Sequence, residues 1–223
     1  MTLYISEIFD SIQGEGVHSG VPMTFIRLQG CSFKCTWCDT VYAQAFDRDN
    51  GQEIQEILAQ VEHKWVCITG GEPLSQPEGL GKLLSALYDV GIKTTVETSG
   101  LLPIPYWYLD YVESWVLDVK LPSSGEYEKA MQVLERVLYH LREQDQVKFV
   151  IQDTEDIDTM YSVLSLPYWN PFPTILLSPV SGYLNTSSSE LCVHHAMLLE
   201  KAGFRARFSP QIHKALWGNR RGV

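Results

Sequence analysis

The sequence has no excess of basic charge, no apolar run long enough to cross a membrane, and no stretch rich in Ser and Gly that would serve as a linker. Each absence excludes something. With 17 Lys and Arg against 27 Asp and Glu, the net charge is −10, so a general attraction to nucleic acid or to anionic lipid is disfavoured. No segment approaches the roughly 20 apolar residues of a membrane span. The opening stretch MTLYISEIFD holds two acids and no basic residue, unlike a secretory signal. A cytoplasmic protein with neither nucleic-acid nor membrane partners is expected. Cysteine is also scarce, with five in 223 residues, and three of them, Cys31, Cys35 and Cys38, fall in the stretch LQGCSFKCTWCDT without a fourth nearby. A disulfide framework needs pairs and a closed zinc site needs four ligands, so a set of three points to other chemistry.

What is present is an alternation. Short apolar runs occur at 23–28, 65–69, 93–98, 114–119, 146–151 and 174–180, nearly continuous in the way of buried parallel strands. Between them lie helical spacings: Ile54, Ile57, Leu58 and Val61; Leu80, Leu83, Leu84 and Leu87; a long one from Tyr127 to Leu141; and Ile157, Met160, Tyr161 and Leu164. A last helix starts at the capping box Ser187 to Glu190 and stops at Gly203. The connection at 100–113 carries two prolines and no helical period, so one covering helix is expected to be missing. The 45% hydrophobic content suits one domain spanning residues 1–223. The expected fold is α/β, a reduced and partly open barrel of about six mainly parallel strands with fewer covering helices.

In parallel α/β folds the loops leaving the carboxyl ends of the strands share one rim, where ligands bind. At those ends this sequence places the cysteine loop, the loop GGEP at 70–73, Glu97 to Gly100, Asp118 to Lys120, and Ser178 to Ser181. A 4Fe-4S cluster is usually held by four thiolates, so three leave one iron open to a substrate. Gly30 lets the chain turn sharply off the strand, and Phe33 and Trp37 are placed to shield a cluster. The alternative is a structural zinc site completed by a histidine such as His18. The GGEP loop offers bare backbone, a rigid turn and a carboxylate, a combination able to hold an ammonium group. Cys67 within a strand and Cys192 on a helix stripe read as small hydrophobes, and His195 as a packed histidine.

The spacing CxxxCxxC after the first predicted strand, followed by GGEP after the second, resembles the radical S-adenosylmethionine enzymes. More narrowly, SIQGEG (11–16), FIRLQGC (25–31), CDT (38–40), VCITGGEP (66–73), VETSG (96–100) and QIHK (211–214) resemble the 7-carboxy-7-deazaguanine synthase family. The resemblance implies a cluster that reduces the sulfonium of S-adenosylmethionine to give methionine and a 5′-deoxyadenosyl radical. That radical takes hydrogen from 6-carboxy-5,6,7,8-tetrahydropterin, and ring contraction with loss of ammonia gives 7-carboxy-7-deazaguanine, a precursor of queuosine. It further implies Mg2+, a homodimer, and a reductant such as flavodoxin or ferredoxin.

Transferred onto this sequence, Cys31, Cys35 and Cys38 hold the cluster, Gly71 and its neighbours receive the methionyl amine, and Thr40 meets magnesium. Arg27 grips the substrate carboxylate, as a guanidinium can with two hydrogen bonds. Ile12, Gln13 and Gly14 frame the pterin, Glu15 reads its guanidine-like edge, Thr69 touches it, and His213 contacts it or carries a proton. Ser99, Asp118, Val119 and Lys120 line the ribose and carboxylate of the cofactor, with Ser178, Pro179, Val180 and Ser181 on the adenine side. The sequence continues for nine residues past Lys214, as ALWGNRRGV. Two rival readings are an activase of the same superfamily acting on a partner protein and a non-catalytic zinc module that uses its acidic surface for protein contacts.

Overall fold

The computed structural model describes residues 2–100, 102–180 and 186–223. Its centre is one sheet in the order β3-β1-β2-β4-β5-β6-β7-β8-β9. The strands are β1 (Thr2–Ile12), β2 (Pro22–Leu28), β3 (Gly51–Glu53), β4 (Trp65–Gly70), β5 (Lys93–Thr98), β6 (Ser114–Val119), β7 (Gln146–Ile151), β8 (Thr174–Pro179) and β9 (Ala206–Phe208). From β2 through β9 every neighbouring pair is parallel, whereas β1 runs antiparallel to both β2 and β3. The sheet is open, because β3 and β9 end it without meeting.

All six predicted strands are present, and three were not foreseen. β1 buries only Leu3 and Ile5 fully, and its remaining residues are half-buried or, at Thr2 and Asp10, exposed, so it lacks the apolar run that marks the parallel strands. β3 and β9 have three residues each, too few to show a period.

The helices are α1 (Ile54–Leu58), α2 (Pro77–Asp89), α3 (Tyr127–Met131), α4 (Leu134–Leu138), α5 (Thr154–Leu164), α6 (Ser187–Lys201) and α7 (Ile212–Trp217). In α2, Leu80, Leu83, Leu84 and Leu87 are all buried, as their spacing requires of one helix face. The long helix predicted from Tyr127 to Leu141 is instead two short ones. Val133 takes φ −117°, which breaks the ladder while Leu134, Val137 and Leu138 still turn inward. Between β5 and β6 only a 3-10 segment, Tyr106–Tyr111, stands where a helix was expected to be missing. His195 is half-buried and shares a 3.1 Å hydrogen bond with the Tyr161 hydroxyl, so it packs at the edge of the core rather than within it.

Side chains alternate across a strand, and the two faces of this sheet differ accordingly. One face carries Ile26, Ile68, Val96, Leu117 and Phe149 into the main core with Trp115 and the helices. The other carries a row of polar residues, Arg27, Thr69, Glu97, Asp118 and Lys148, one from each of five strands. Registers pair Arg27 with Thr69 and Asp118 with Lys148. A bulge between Ile5 and Glu7 in β1 shifts the register there and sets Glu7 opposite Arg27.

Candidate active site

The polar face forms the floor of a cavity of about 540 Å³ whose rim is built by the strand-end loops. Every residue assigned from the sequence lines it, with two exceptions. Val119 is 2% exposed and turns into the core between Asp118 and Lys120, so it does not line the cavity. Ser181 lies outside the described residues. The three loop cysteines are free thiols, each partly exposed, and all three line the cavity.

The cysteine loop leaves β2 through Gly30, whose φ of +91° is a left-handed turn that favours glycine. It is pinned along its length. Gly30 and Cys31 donate their N–H groups to the carbonyls of Ala43 and Gln44, at 2.8 and 3.0 Å. Lys34 N–H donates to Glu126 Oε1 at 2.6 Å, and Thr36 N–H to the Ser124 carbonyl at 3.0 Å. Phe33 is buried beneath the loop, and Lys120 Nζ lies 4.9 Å from the centroid of Trp37. Burial pushes the Cys31 thiol up, and it pushes that of Cys35 up to about 11 despite the nearby Lys120 ammonium.

These residues fit a cluster. Among the described residues no three His, Cys, Asp or Glu side chains are grouped to hold a single metal ion. A cubane asks for a different arrangement, one thiolate on each of three irons around an open space. His18, the candidate fourth ligand of a zinc site, instead packs on Trp65 at a centroid distance of 4.7 Å. Trp65 opens β4, at the opposite end of the strand from the GGEP loop, so His18 does not complete a site with the cysteines.

The GGEP loop sits against the cysteine loop. A side chain on Gly71 would come within 2.5 Å of the Gly30 carbonyl oxygen and 2.7 Å of that of Ala43, so only glycine permits the approach. Glu72 does not face the cavity. It is fully buried and accepts hydrogen bonds from Leu74 N–H, Thr98 Oγ1 and Ser99 N–H at 2.9, 2.7 and 2.8 Å, and from the Ser99 hydroxyl. Its carboxylate therefore ties the loop to the end of β5 and leaves no oxygen for a ligand. The Ser99 hydroxyl is committed to it.

Charge on the floor is paired. Lys148 Nζ lies 3.0 Å from Glu15 Oε2 and 3.3 Å from Asp118 Oδ2, while Lys120 Nζ is 3.0 Å from Asp118 Oδ1. Against the cost of burial, Glu15 and Asp118 raise Lys148 well above the usual ammonium range, and Lys120 and Lys148 lower Asp118. Gln211 Nε2 donates to Glu15 Oε1 at 2.6 Å. Glu97 accepts from Gln13 Nε2 at 3.1 Å and Thr69 Oγ1 at 3.0 Å. Ser178 Oγ is buried and has no partner among the described residues, a hydroxyl placed to meet a ligand. His213 packs against Gly14, and burial lowers its pKa, which favours neutral imidazole.

Near the last cysteine, Thr40 Oγ1 donates to Asp39 Oδ1 at 2.9 Å, and Lys214 Nζ holds Asp39 Oδ2 at 2.9 Å. Burial raises the Asp39 carboxyl, but Lys214 outweighs it and brings it down to about 2. The residues after α7 return to the cavity, so GNRRGV (218–223) is part of its wall, whereas Ala215, Leu216 and Trp217 close the helix and do not line it.

Sequence reasoning left Glu97, Lys148, Asp39, Lys214 and Gln211 without a role. For Lys148 a signal existed, since it is the one charged residue in the strand QVKFVI, and Glu97 was visible as a carboxylate at a strand end. The other three lie in the motifs CDT and QIHK, but only the fold shows which residues they meet.

This arrangement, an open parallel sheet with a three-cysteine loop at one strand end and a glycine-rich loop packed against it, defines a radical S-adenosylmethionine protein. Residues 25–116 match the Radical SAM superfamily, whose members hold a 4Fe-4S cluster and S-adenosylmethionine. A 7-carboxy-7-deazaguanine synthase of Thermoplasma acidophilum is 32% identical over 99% of this chain and 100% of its own length. One of Methanospirillum hungatei is 37% identical over 94% of this chain and 83% of its own. The crystal structure of QueE from Escherichia coli superposes with a TM-score of 0.72 at 26% identity, covering 93% of this chain and 94% of that one. The chain belongs to the 7-carboxy-7-deazaguanine synthase family. Among the described residues, no helix is long and apolar enough to cross a membrane.

Proposed function

We infer that this protein converts 6-carboxy-5,6,7,8-tetrahydropterin to 7-carboxy-7-deazaguanine with loss of ammonia. The observation that carries the reading is that one cavity holds the cysteine loop at its rim and Arg27, Thr69 and Glu97 on its floor, Arg27 paired in register with Thr69 and Thr69 hydrogen-bonded to Glu97. A small molecule bound on that floor lies within reach of chemistry at the loop, which suits a substrate of pterin size better than a partner protein.

When bound, the cluster and S-adenosylmethionine supply hydrogen abstraction by one-electron cleavage of the sulfonium. The protein's own work is placement. Cys31, Cys35 and Cys38 would hold the cluster through their thiolates. Gly70 and Gly71 present a face without side chains to the methionyl amine, Lys120 attracts the methionyl carboxylate, and the unpartnered Ser178 hydroxyl meets the nucleoside together with Pro179 and Val180.

Arg27 Nε is taken by Glu7 at 2.7 Å, which turns the two terminal amino groups of the guanidinium outward as a fork for the substrate carboxylate. Glu15 and Glu97 are held by Lys148, Gln211, Gln13 and Thr69, and each oxygen keeps a lone pair for the amino groups of the pterin ring. Ile12 and Gly14 border the ring, and neutral His213 is suited to accept a proton. Asp39 accepts a hydrogen bond from the Thr40 hydroxyl, which leaves that oxygen its lone pairs, and Thr40 would be a ligand for magnesium, a cation that would help to orient the substrate.

We place the protein in the cytoplasm as one domain that forms a homodimer and takes electrons from a flavodoxin or ferredoxin. The test is anoxic reconstitution with iron and sulfide, then incubation with the pterin, S-adenosylmethionine and a reductant, with and without magnesium. Product detected by mass spectrometry, with ammonia released in equal amount, is expected. Cofactor cleavage without any change in the pterin would favour the activase reading instead.

A further inference from the structure

The residues that follow α7 bring a second arginine to the anion-binding end of the cavity. Arg221 Nε donates to Glu7 Oε2 at 2.8 Å, while Arg27 Nε donates to Glu7 Oε1 at 2.7 Å. The Tyr42 hydroxyl also donates to Glu7 Oε1, at 2.7 Å. The Arg221 guanidinium lies 3.9 Å from the centroid of the Tyr42 ring, and that of Arg27 lies 6.0 Å from it on the cavity wall. Arg27, Tyr42 and Arg221 line the cavity, with Glu7 behind them.

The charges decide what this cluster does. Arg27 and Glu7 alone form a neutral pair, whose field falls off quickly and offers little to an incoming anion. Adding Arg221 gives two guanidiniums around one carboxylate, a net charge of +1 in a chain whose net charge is −10. Tyr42 does not cancel it, because burial and the adjacent Glu7 push its hydroxyl up to about 12 and keep it neutral. Each arginine spends its Nε on Glu7, and Arg27, the more buried of the two, presents its terminal amino groups from the cavity floor.

We propose that Arg221 is a specificity-determining residue: by neutralising Glu7 it leaves Arg27 an uncompensated cation, so that the cavity selects a pterin bearing a carboxylate over one without it. The inference rests on the pterin reading above. It assigns to the segment after α7 a role in recognition distinct from cluster binding, since its tie to the sheet runs through Glu7 and Tyr42. Stacking on Tyr42 holds Arg221 in place, as guanidinium on an aromatic face does.

The test uses two fluorescent oxidised pterins, one with a 6-carboxylate and one without, titrated into the full-length protein. Wild type is expected to prefer the carboxylated probe. Arg221→Met is expected to weaken that probe about tenfold and to leave the other within about twofold. Arg221→Lys retains most of the preference, because the charge remains. Arg220→Met, which removes the same charge from the adjacent residue without touching Glu7, has a smaller effect than Arg221→Met. The preference of wild type declines with added salt more steeply than that of Arg221→Met. Equal weakening of both probes by Arg221→Met shows a merely structural strap and overturns the proposal, as does an equal effect of Arg220→Met. A wild-type preference that Arg221→Met keeps overturns this inference alone. Wild type without any preference overturns the pterin reading with it.

Discussion

Replacing Gly71 by alanine tests how closely the two rim loops must pack. The added carbon would stand 2.5 Å from the Gly30 carbonyl oxygen and 2.7 Å from that of Ala43, both backbone atoms with little freedom to move aside. Ordinary contact begins near 3.4 Å, so Gly30 has to retreat by roughly 0.9 Å, and the next residue in the chain is Cys31. The same movement lengthens the bonds from Glu72 N–H to the Gly30 carbonyl, 2.7 Å, and from Gly30 N–H to that of Ala43, 2.8 Å. Overpacking of this kind costs about 1–3 kcal/mol, which lowers the melting temperature by roughly 2–12 °C in a chain of this length. Melting of the apoprotein, followed by iron and acid-labile sulfide counts after reconstitution, separates loss of stability from displacement of the thiols. The control is Leu87→Ala, which empties a fully buried position in the last turn of α2. It costs about 2–5 kcal/mol but lies toward the opposite end of the sheet, where α2 feeds the start of β5, and should leave the iron count intact. Gly71→Ala with an unshifted melt and a full cluster would refute the packing argument.

Four further outcomes follow from the site. Arg27→Ala should abolish tight binding of the carboxylated pterin while iron content and cofactor cleavage persist; unchanged affinity by titration removes Arg27 from the site. Lys148→Met leaves Glu15 and Asp118 facing each other without their shared cation and should cost about 3–5 kcal/mol in a denaturant melt. A loss under about 1 kcal/mol would show that water relieves the charges. Because the Asp39 carboxyl is held below its unfolded value, its contribution is complete above the unfolded pKa of about 3.8 and is lost as pH falls through about 2. The difference in melting temperature between wild type and Asp39→Asn should thus be constant above pH 4 and shrink toward pH 2, and a difference that grows in acid contradicts the assignment. Cys35→Ser should lose most iron whereas Cys192→Ser, at a fully buried position, keeps it, as measured by iron analysis on anoxic protein.

The buried charge on the floor also has a bearing on specificity of form. Glu15, Lys148, Asp118 and Lys120 alternate in sign across the cavity, so each carboxylate is oriented by an ammonium before any ligand arrives. Pre-set polar groups of this kind recognise a ligand without a reorganisation cost, at the expense of the desolvation each ion incurs.

What the sequence determined by itself is what depends on neighbours along the chain. The three thiols occupy eight consecutive positions, so their proximity needs only a loop, and the six parallel strands were visible because burial on both faces demands unbroken apolar runs. The order of strand-end loops around one rim also followed, since parallel strands joined by crossovers put every such loop on the same side. Tertiary structure alone decided the pairings between distant residues. Lys148 finds Glu15 across 133 positions, Gln211 finds it across 196, and Arg221 reaches Glu7 across 214. Lys148 stands out as a charge within a strand, but nothing local says which residue each of these side chains will meet until the sheet brings them together. The same holds for β1, whose register and bulge set Glu7 against Arg27, and for Glu72, whose carboxylate was expected near a ligand in the GGEP loop and instead braces that loop to β5. Spacing reports what one segment can hold, whereas which charge opposes which is fixed only when strands pair.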